Sequence, residues 1–230
     1  MQLPELQRQV AALLHSTPLI DGIQNGTATQ AQYRAYLADA YYYTQHSSQV
    51  VSHAGARLAD TYPALSRYML DRAADKLNQQ SAAVHDLRDL GLSNDDIIKL
   101  SPSSPCLRMI ALEYYYAKED NPVGVPGWMF ALQSLGVTLA PTLSQLNHSL
   151  KLNGRGMSFL SRRGPTILKD ADELCRLIGE ARFSPLDEQC FLRSARESAD
   201  LYCAMLDVAF AASETFADEI ESGSPNSSMH

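Results

Sequence analysis

Cysteine is scarce in this chain of 230 residues, and basic residues are fewer than acidic ones. The four cysteines are widely spaced, with no Cys-x-x-Cys pair and no histidine cluster beside them, which excludes zinc-ribbon and dithiol redox motifs. We therefore expect the free thiols of a reducing compartment. With 26 acidic and 19 basic residues the net charge is -7, so binding to nucleic acid or to an anionic membrane surface is not expected.

Long apolar runs and strand patterns are missing as well. No apolar run approaches the ~20 residues of a membrane span, and the first residues lack the basic start and apolar stretch of a signal peptide. We therefore predict a cytoplasmic protein without a membrane segment. No segment alternates apolar and polar residues between turn signals, which argues against a sheet. The hydrophobic content of 45% is nevertheless that of a folded globular chain.

The pattern that is present is helical along almost the whole chain. It predicts an all-α fold of about seven principal helices, several of them about 45 Å long, in a single antiparallel bundle. Thr27 and Gln30 have the spacing of a capping box and predict a long helix over residues 28–58. We assign residues 1–217 to one helical domain and the polar residues 218–230 to a flexible C-terminal tail.

Prolines, a serine and a glycine mark further helix ends. Pro63 stands near the start of a helix that is predicted to end at Leu90, with Gly91 as its stop. Ser184 has the side chain of an N-cap and is followed by proline, so it predicts the start of a last helix that runs to about Ala217. Long helices joined by short loops share one core.

Four segments together resemble the heme-oxygenase-like superfamily, which includes heme oxygenases, thiaminase II (TenA-like) proteins, pyrroloquinoline quinone synthase and the heme-oxygenase-like diiron oxidases. Residues 13–58 run from a histidine through a glycine-containing loop to a tyrosine-rich helix, the common entry of that group. The other segments are AAVHDLRDLGLS (82–93), DNPVGVPGWMFALQSLG (120–136) and FLSRRGPTILKDADEL (159–174). The resemblance covers about residues 12–215. It implies a heme-oxygenase-like fold and, as in similar proteins, a homodimer.

The diiron-oxidase branch implies iron ligands, and the first of them fall on the third helix. That branch has a glutamate and a histidine three residues apart, which here correspond to Lys76 and Gln79. In members that space the two about seven apart, the positions are Asn78 and His85, so the histidine is kept and the glutamate is lost. Carboxylates and imidazoles bind iron, whereas a lysine cation cannot be a ligand.

The remaining ligand positions of that branch are also substituted. The glutamate after the apolar run corresponds to Gln133, which is a neutral and weaker ligand. A His-Asp-His triplet corresponds to Arg163, Ile167 and Asp170, so at most one or two of six expected ligands are usable donors. We therefore predict no metal cofactor and no stoichiometric iron. Iron held by a rearranged set of acids and histidines stays open as an alternative.

The substituted positions are predicted to surround one central cavity. Lys76 and Arg163 are cations where a metal would lie, and they would hold an anionic ligand by charge-assisted hydrogen bonds. Because buried cations are costly unless paired, Asp170 is the expected partner of Arg163, or of Lys76 from across the cavity. The alternative is a solvated helix face. The predicted site comprises Arg72, Lys76, Gln79, Gln133, Arg163 and Asp170.

Two runs of three tyrosines supply further pocket candidates. Each run covers most of a helical turn, so at least one tyrosine of each run faces inward. The resemblance places the second helix along the cavity, which adds a histidine of that helix, and Glu113 precedes the second tyrosine run. The alternative is that these tyrosines are core residues with hydroxyls reaching the surface. The candidates of this group, with His85 from the third helix, are Tyr42, Tyr43, His46, His85 and Tyr115.

Two other branches of the superfamily match less well. His15 lies roughly where heme oxygenases have their proximal ligand, but only one glycine, Gly136, stands where close approach of a porphyrin requires several. The TenA-like activity depends on a nucleophilic cysteine in an aromatic setting on the middle helices. Cys106 follows Pro105 at a helix start and does not match that setting.

The leading functional hypothesis is therefore a protein of heme-oxygenase fold with a pocket for a small organic ligand and a degenerate diiron-oxidase-like site. If it is catalytic, it would be an oxidase or oxygenase that uses O2 without a metal, resembling pyrroloquinoline quinone synthase. One alternative is a non-catalytic family member that binds a ligand or a partner. Another is a metal-dependent oxidase with rearranged ligands.

Overall fold

A computed structural model describes residues 2–76, 79–161 and 164–212, except for the side chains of residues 75, 76 and 164–166. All regular structure in these ranges is helical, which confirms the all-α prediction. The α-helices are α1 (Leu3–His15), α2 (Pro18–Gln24), α3 (Gln30–Arg57), α4 (Pro63–Lys76), α5 (Gln79–Asp89), α6 (Asn94–Lys99), α7 (Ser104–Lys118), α8 (Gly124–Leu139), α9 (Leu143–Ser149), α10 (Ser158–Ser161), α11 (Gly164–Ala181) and α12 (Pro185–Phe210), with a 3-10 turn at Ala140–Thr142.

The capping box that starts α3 lies two residues later than predicted. Thr29 accepts from the backbone N–H of Gln32 at 3.2 Å, and the Gln32 side chain accepts from the Thr29 N–H at 2.9 Å. The predicted cap, Thr27, has the same sequence spacing. Its backbone N–H instead donates to Gly22 at 2.8 Å, across a turn in which Gly26 has a φ of 71°. The glycine permits this left-handed turn, so Thr27 closes α2 and the next threonine caps α3.

Other predicted helix boundaries are partly correct. The segment predicted as one helix from Pro63 comprises α4 and α5, and residues 77 and 78 between them lie outside the described residues. Gly91, at a φ of 96°, follows the end of α5 as predicted. Ser184 caps α12 by accepting from the Asp187 N–H at 3.2 Å. The last helix ends at Phe210 rather than near Ala217, and the predicted tail lies outside the described residues.

Helix α8 is the central helix of the bundle. It is apolar on nearly all sides, as expected of a helix with no solvent-facing stripe, and it packs against α1, α7, α11 and α12. The contact with α12 is the most extensive in the described molecule. Gly127 makes this contact possible, because a Cβ there would lie 2.5 Å from the backbone oxygen of Phe191. Side chains on α8 therefore point into several different interhelical spaces.

Two buried aspartates join distant parts of the chain. Asp39 of α3 accepts from the backbone N–H of Ser103 at 2.7 Å and so holds the start of α7. Asp86 of α5 accepts from the backbone N–H groups of Ser158 and Phe159, at 2.9 and 2.7 Å, and holds the start of α10. Both carboxylates thus replace hydrogen bonds that water would otherwise make to helix starts.

The remaining general expectations concern cysteines and membranes. All four cysteines have free thiols. Burial is the main cause that raises the pKa of Cys106 above its usual range and raises that of Cys190 to about 11, so these thiols are protonated and unreactive at neutral pH. In the described ranges, every helix is either too short or too polar to reach across a lipid bilayer.

Candidate functional site

The predicted constellation is partly assembled between α4, α8 and α11. Arg72 of α4 forms ion pairs with Asp170 at 3.2 Å and Glu173 at 3.5 Å, both on α11. Its guanidinium lies 5.3 Å from the ring centre of Tyr68. The Tyr68 hydroxyl accepts a hydrogen bond from the Gln133 side chain of α8 at 3.1 Å. We call these five residues the Arg72 cluster.

The side chains of the two predicted cations of this site lie outside the described part of the structure. Lys76 is the last residue of α4, but its side chain lies outside the described part, and Arg163 falls in the gap between residues 161 and 164. The predicted pairing of Asp170 with either of them therefore stays a prediction. The partner that the structure does give Asp170 is Arg72, one helical turn before Lys76. Gln79 begins α5 and is half-buried.

The described donors of the Arg72 cluster do not fit an iron site. Asp170 is already paired with a guanidinium, whose positive charge would repel a metal cation. Gln133 offers only a neutral amide oxygen, which is buried and has no partner among the described residues. Ile167, at a predicted ligand position, is buried and apolar. Iron prefers carboxylate and imidazole ligands. In this cluster the carboxylates instead pair with the guanidinium of Arg72.

His85 lies at the surface, outside the interior that the prediction assigned to it. Its side chain is 64% exposed, and its Nδ1 lies 3.5 Å from a carboxylate oxygen of Asp89. Asp86 and Asp89 are near enough to form a three-residue group with it. Both acids, however, accept backbone hydrogen bonds, Asp89 from Gly156 at 2.9 Å and Asp86 from the start of α10. Their role is structural.

The tyrosine candidates point in different directions. Tyr42 donates its hydroxyl proton to the backbone oxygen of Leu100, so it faces the loop before α7 rather than the core. Tyr115 is 53% exposed on the outer side of α7. Tyr43 is buried and makes edge-on ring contacts with Phe159 and Tyr202. The expectation that one tyrosine of the first run faces inward holds for Tyr43.

A pocket between α3, α7 and α8 unites the inward candidates. About 200 Å³ of space, part of it open to solvent, lies among its side chains, so the pocket is smaller than the two cavities described below. Two of the lining residues, one on α3 and one on α7, are titratable groups with an acid or base function. We call it the His46–Glu113 pocket. The lining residues are Tyr43, His46, Ser47, Val50, Met109, Ile110, Glu113 and Trp128.

Glu113 is a buried carboxyl group that uses only one of its oxygens. The residue is 2% exposed, and its Oε1 accepts from the Ser198 hydroxyl of α12 at 3.1 Å. Its Oε2 is buried and has no hydrogen-bond partner among the described residues. Burial raises the pKa of Glu113 well above its usual range, the Ser198 hydrogen bond partly opposes this, and the charge of Glu197 adds to it. The group is therefore a neutral carboxylic acid in the folded protein.

His46 is held in one tautomer by its neighbour. Its Nδ1 lies 3.2 Å from the Tyr114 hydroxyl, and that hydroxyl donates to the Gln49 side chain at 2.7 Å. A phenol has one proton, so Tyr114 accepts at the histidine side and Nδ1 carries the hydrogen. Burial lowers the pKa of His46, which leaves the ring neutral. Its Nε2 is then an unprotonated hydrogen-bond acceptor.

Two further cavities adjoin each other beside α3 and are mostly apolar. They enclose about 460 and 430 Å³ of space, part of it open to solvent. Both are lined by Tyr36, Leu139 and Leu143. The Tyr36 hydroxyl lies 2.9 Å from that of Tyr202, so these polar groups are engaged with each other. The cavities offer space but few groups to orient a ligand.

Glu113 is a site residue that was not among the predicted site residues, although the sequence carries a signal for it. On α7 the buried positions Cys106, Met109, Glu113 and Tyr116 follow helical spacing, and only one of them is acidic. An isolated acid on an apolar helix face is rarely buried without a reason. Ser198, its partner, belongs to a distant helix and carries no such signal.

Comparison with known families and structures places these helices in context. The model of the TENA/THI-4/PQQC family matches residues 4–153. A search of curated proteins finds no match. A domain of unknown function with a heme oxygenase-like fold from Shewanella denitrificans OS217 superposes with a TM-score of 0.83 at 21% identity, covering 100% of this chain and 99% of that one.

Two TenA homologues superpose less closely. The one from Pseudomonas syringae pv. tomato DC3000 has a TM-score of 0.74 and 11% identity, covering 90% of this chain and 91% of that chain. The one from P. horikoshii OT3 has a TM-score of 0.67 and 14% identity, covering 92% and 98%. At these identities the likeness shows the heme-oxygenase-like fold and leaves the ligand of the pocket to be argued from its residues.

Proposed function

The chain belongs to the TENA/THI-4/PQQC family, and we propose that it binds a small organic molecule in the His46–Glu113 pocket without a metal centre. The observation that carries the proposal is the unused Oε2 of Glu113. A buried polar atom without a partner costs about 1–3 kcal/mol. Such a cost is most often retained at functional sites, where the missing partner is the ligand.

The surroundings of Glu113 support a binding role over a structural one. Ser198 satisfies Oε1 alone, so the carboxyl group contributes little to holding α7 against α12. Tyr43 and Trp128 give the pocket aromatic walls, which are typical of small-molecule sites with few polar groups. The two apolar cavities lack comparable polar groups, which makes them weaker candidates.

The degenerate diiron-like site is part of the same proposal. The Arg72 cluster supports it, because an arginine is paired with both acids where a diiron oxidase would hold metal. Any oxidation of the bound molecule would then use O2 without a metal, as in the pyrroloquinoline quinone synthase that the sequence resembles. We also propose that the protein is a cytoplasmic homodimer that binds neither nucleic acid nor membrane.

The single tryptophan of the chain provides a direct test. Trp128 lines the pocket, so its fluorescence reports binding there without interference from other tryptophans. We expect neutral one-ring aromatic compounds from a fragment set to change this fluorescence in a saturable way. The variant Ile110→Phe narrows the pocket and should weaken binding by about tenfold, as expected when a ligand must compete with an added side chain.

A matched control lies on the exposed side of the same helix. Ala111→Phe adds a comparable side chain outside the pocket and should leave binding unchanged. Metal analysis of protein purified with added Fe(II) should find no stoichiometric iron. Fluorescence changes that are equal in both variants, or absent with every fragment, would remove the pocket from the proposed function.

A further inference from the structure

We infer that the His46–Glu113 pocket selects a neutral ligand with a hydrogen-bond acceptor and a donor on one edge, as in a lactam or a secondary amide. The inference names the ligand class of the pocket and so rests on the proposed function. It follows from which atoms carry protons on two side chains that line the same pocket, one from α3 and one from α7. Neither group alone would distinguish such a ligand from a simple alcohol or ketone.

The glutamate supplies the donor. Oε1 of Glu113 accepts from Ser198, so in the neutral acid the proton belongs on Oε2, the atom without a partner. The negative charge of nearby Glu197 disfavours ionisation of Glu113. The carboxyl group therefore presents O–H to the pocket, and a ligand carbonyl oxygen is its natural partner.

The histidine supplies the acceptor. Nδ1 of His46 donates its hydrogen to the Tyr114 hydroxyl. Nε2 therefore carries no hydrogen and has a lone pair that can accept a hydrogen bond. A ligand N–H or O–H is the matching donor. The Ser47 hydroxyl on the same wall donates to the backbone oxygen of Tyr43 at 2.7 Å, so its proton is already used. His46 thus offers a ring-nitrogen acceptor to the pocket from α3.

Charged ligands fit the pocket poorly. Of the described residues that line it, none is lysine or arginine, so an anion would be buried without a counter-charge. A cation would have to ionise Glu113, whose burial opposes that change. The aromatic rings of Tyr43 and Trp128 complete a site suited to a planar, neutral heterocycle.

Four probes of similar size separate the possibilities, each titrated into the full chain by isothermal titration calorimetry. 2-Pyridone has the donor and the acceptor, 1-methyl-2-pyridone only the acceptor, benzamidine carries a positive charge with donors only, and toluene has neither. We expect 2-pyridone to bind at least about tenfold more tightly than the other three, because each leaves a buried polar group unmatched.

Three variants test the assigned protons. Glu113→Gln keeps an N–H donor at the same place and should retain 2-pyridone binding within about threefold, whereas Glu113→Leu should lose about tenfold. His46→Phe removes the acceptor and should bring 2-pyridone down to the affinity of its methylated form. Toluene should bind Glu113→Gln as it binds the wild type, and should bind Glu113→Leu and His46→Phe at least as tightly, because each of these two removes a polar group that toluene leaves unmatched. Retained toluene binding confirms that the variants are folded and that the pocket remains open.

The possible failures are distinguishable from one another. Tighter binding of benzamidine than of 2-pyridone, together with loss in Glu113→Gln, would show that Glu113 acts as a carboxylate and would overturn the inference while keeping the pocket. Equal affinity for toluene and 2-pyridone would also overturn it. Failure of all four probes, with no response in the fragment set, would overturn the proposed function itself.

Discussion

Asp86 and Glu113 are both almost completely buried carboxyl groups, yet the regions around them use them in opposite ways. Asp86 accepts hydrogen bonds on both oxygens, from the backbone N–H groups of Ser158 and Phe159. Glu113 accepts one hydrogen bond on one oxygen and leaves the other unmatched. Burial of an acid therefore does not indicate a function. An acid with an atom that the fold does not need is a better indicator.

The Arg72 cluster resembles Asp86, because its charged groups also have partners within the fold. Its charges satisfy one another through two ion pairs from α4 to α11. Family resemblance directed attention to that cluster, because its positions correspond to metal ligands elsewhere. The cluster also contains one atom that is unmatched among the described residues, the buried amide oxygen of Gln133, but the pocket combines an unmatched carboxyl oxygen with a histidine and so offers both a donor and an acceptor to a ligand. The family's ligand positions thus indicate the Arg72 cluster, whereas the unmatched polar groups indicate the pocket on another side of α8.

The largest effect is expected at Asp86. Asp86→Ala leaves two backbone N–H groups at the start of α10 without an acceptor and should lower the free energy of unfolding by about 3 kcal/mol. Urea denaturation measures the change. The matched control is Asp89→Ala, which loses one backbone hydrogen bond at a partly exposed site and should cost about 1 kcal/mol. Equal losses in the two variants would contradict the structural role assigned to Asp86.

Replacing Glu113 by glutamine should raise the free energy of unfolding, and the gain should grow with pH. Burial raises the pKa of Glu113 in the folded protein, so the unfolded chain ionises first as the pH rises. Stability from this group is present below the unfolded pKa and is lost above it. Glu113→Gln does not titrate, so relative to the wild type it should be increasingly more stable between pH 4 and pH 8. A difference that is constant across that range would show that Glu113 is ionised in the folded state.

The fold was largely predictable because helix signals are local. Caps such as Ser184 and stops such as Gly91 act within a few residues of the chain and were identified correctly. The capping box of α3 was misplaced because Thr27 and Thr29 have the same spacing to a glutamine. Only the tertiary turn at Gly26, which engages Thr27, distinguishes the two.

The site was less predictable because its properties depend on contacts between distant helices. The unused oxygen of Glu113 is defined by Ser198, which is 85 residues away. The tautomer of His46 depends on Tyr114, at a separation of 68 residues. Helical spacing and the family resemblance indicated that Tyr43 and His46 were candidates, but they could not show that His85 lies at the surface.

The smallest effect is expected at Arg72, and it tests whether the cluster is structural. Arg72→Met keeps the length of the side chain but removes the positive charge that is paired with Asp170 and Glu173. Because all three groups are partly exposed, the loss in free energy of unfolding should be about 1 kcal/mol at low salt and less at high salt. The control, Arg176→Met, breaks a surface ion pair with Glu180 and should cost less than about 0.5 kcal/mol. If Arg72→Met instead left stability unchanged but weakened 2-pyridone binding, the cluster would be part of the ligand site. The contrast between a cluster whose charged groups are paired and a pocket whose carboxyl oxygen is unmatched would then be wrong.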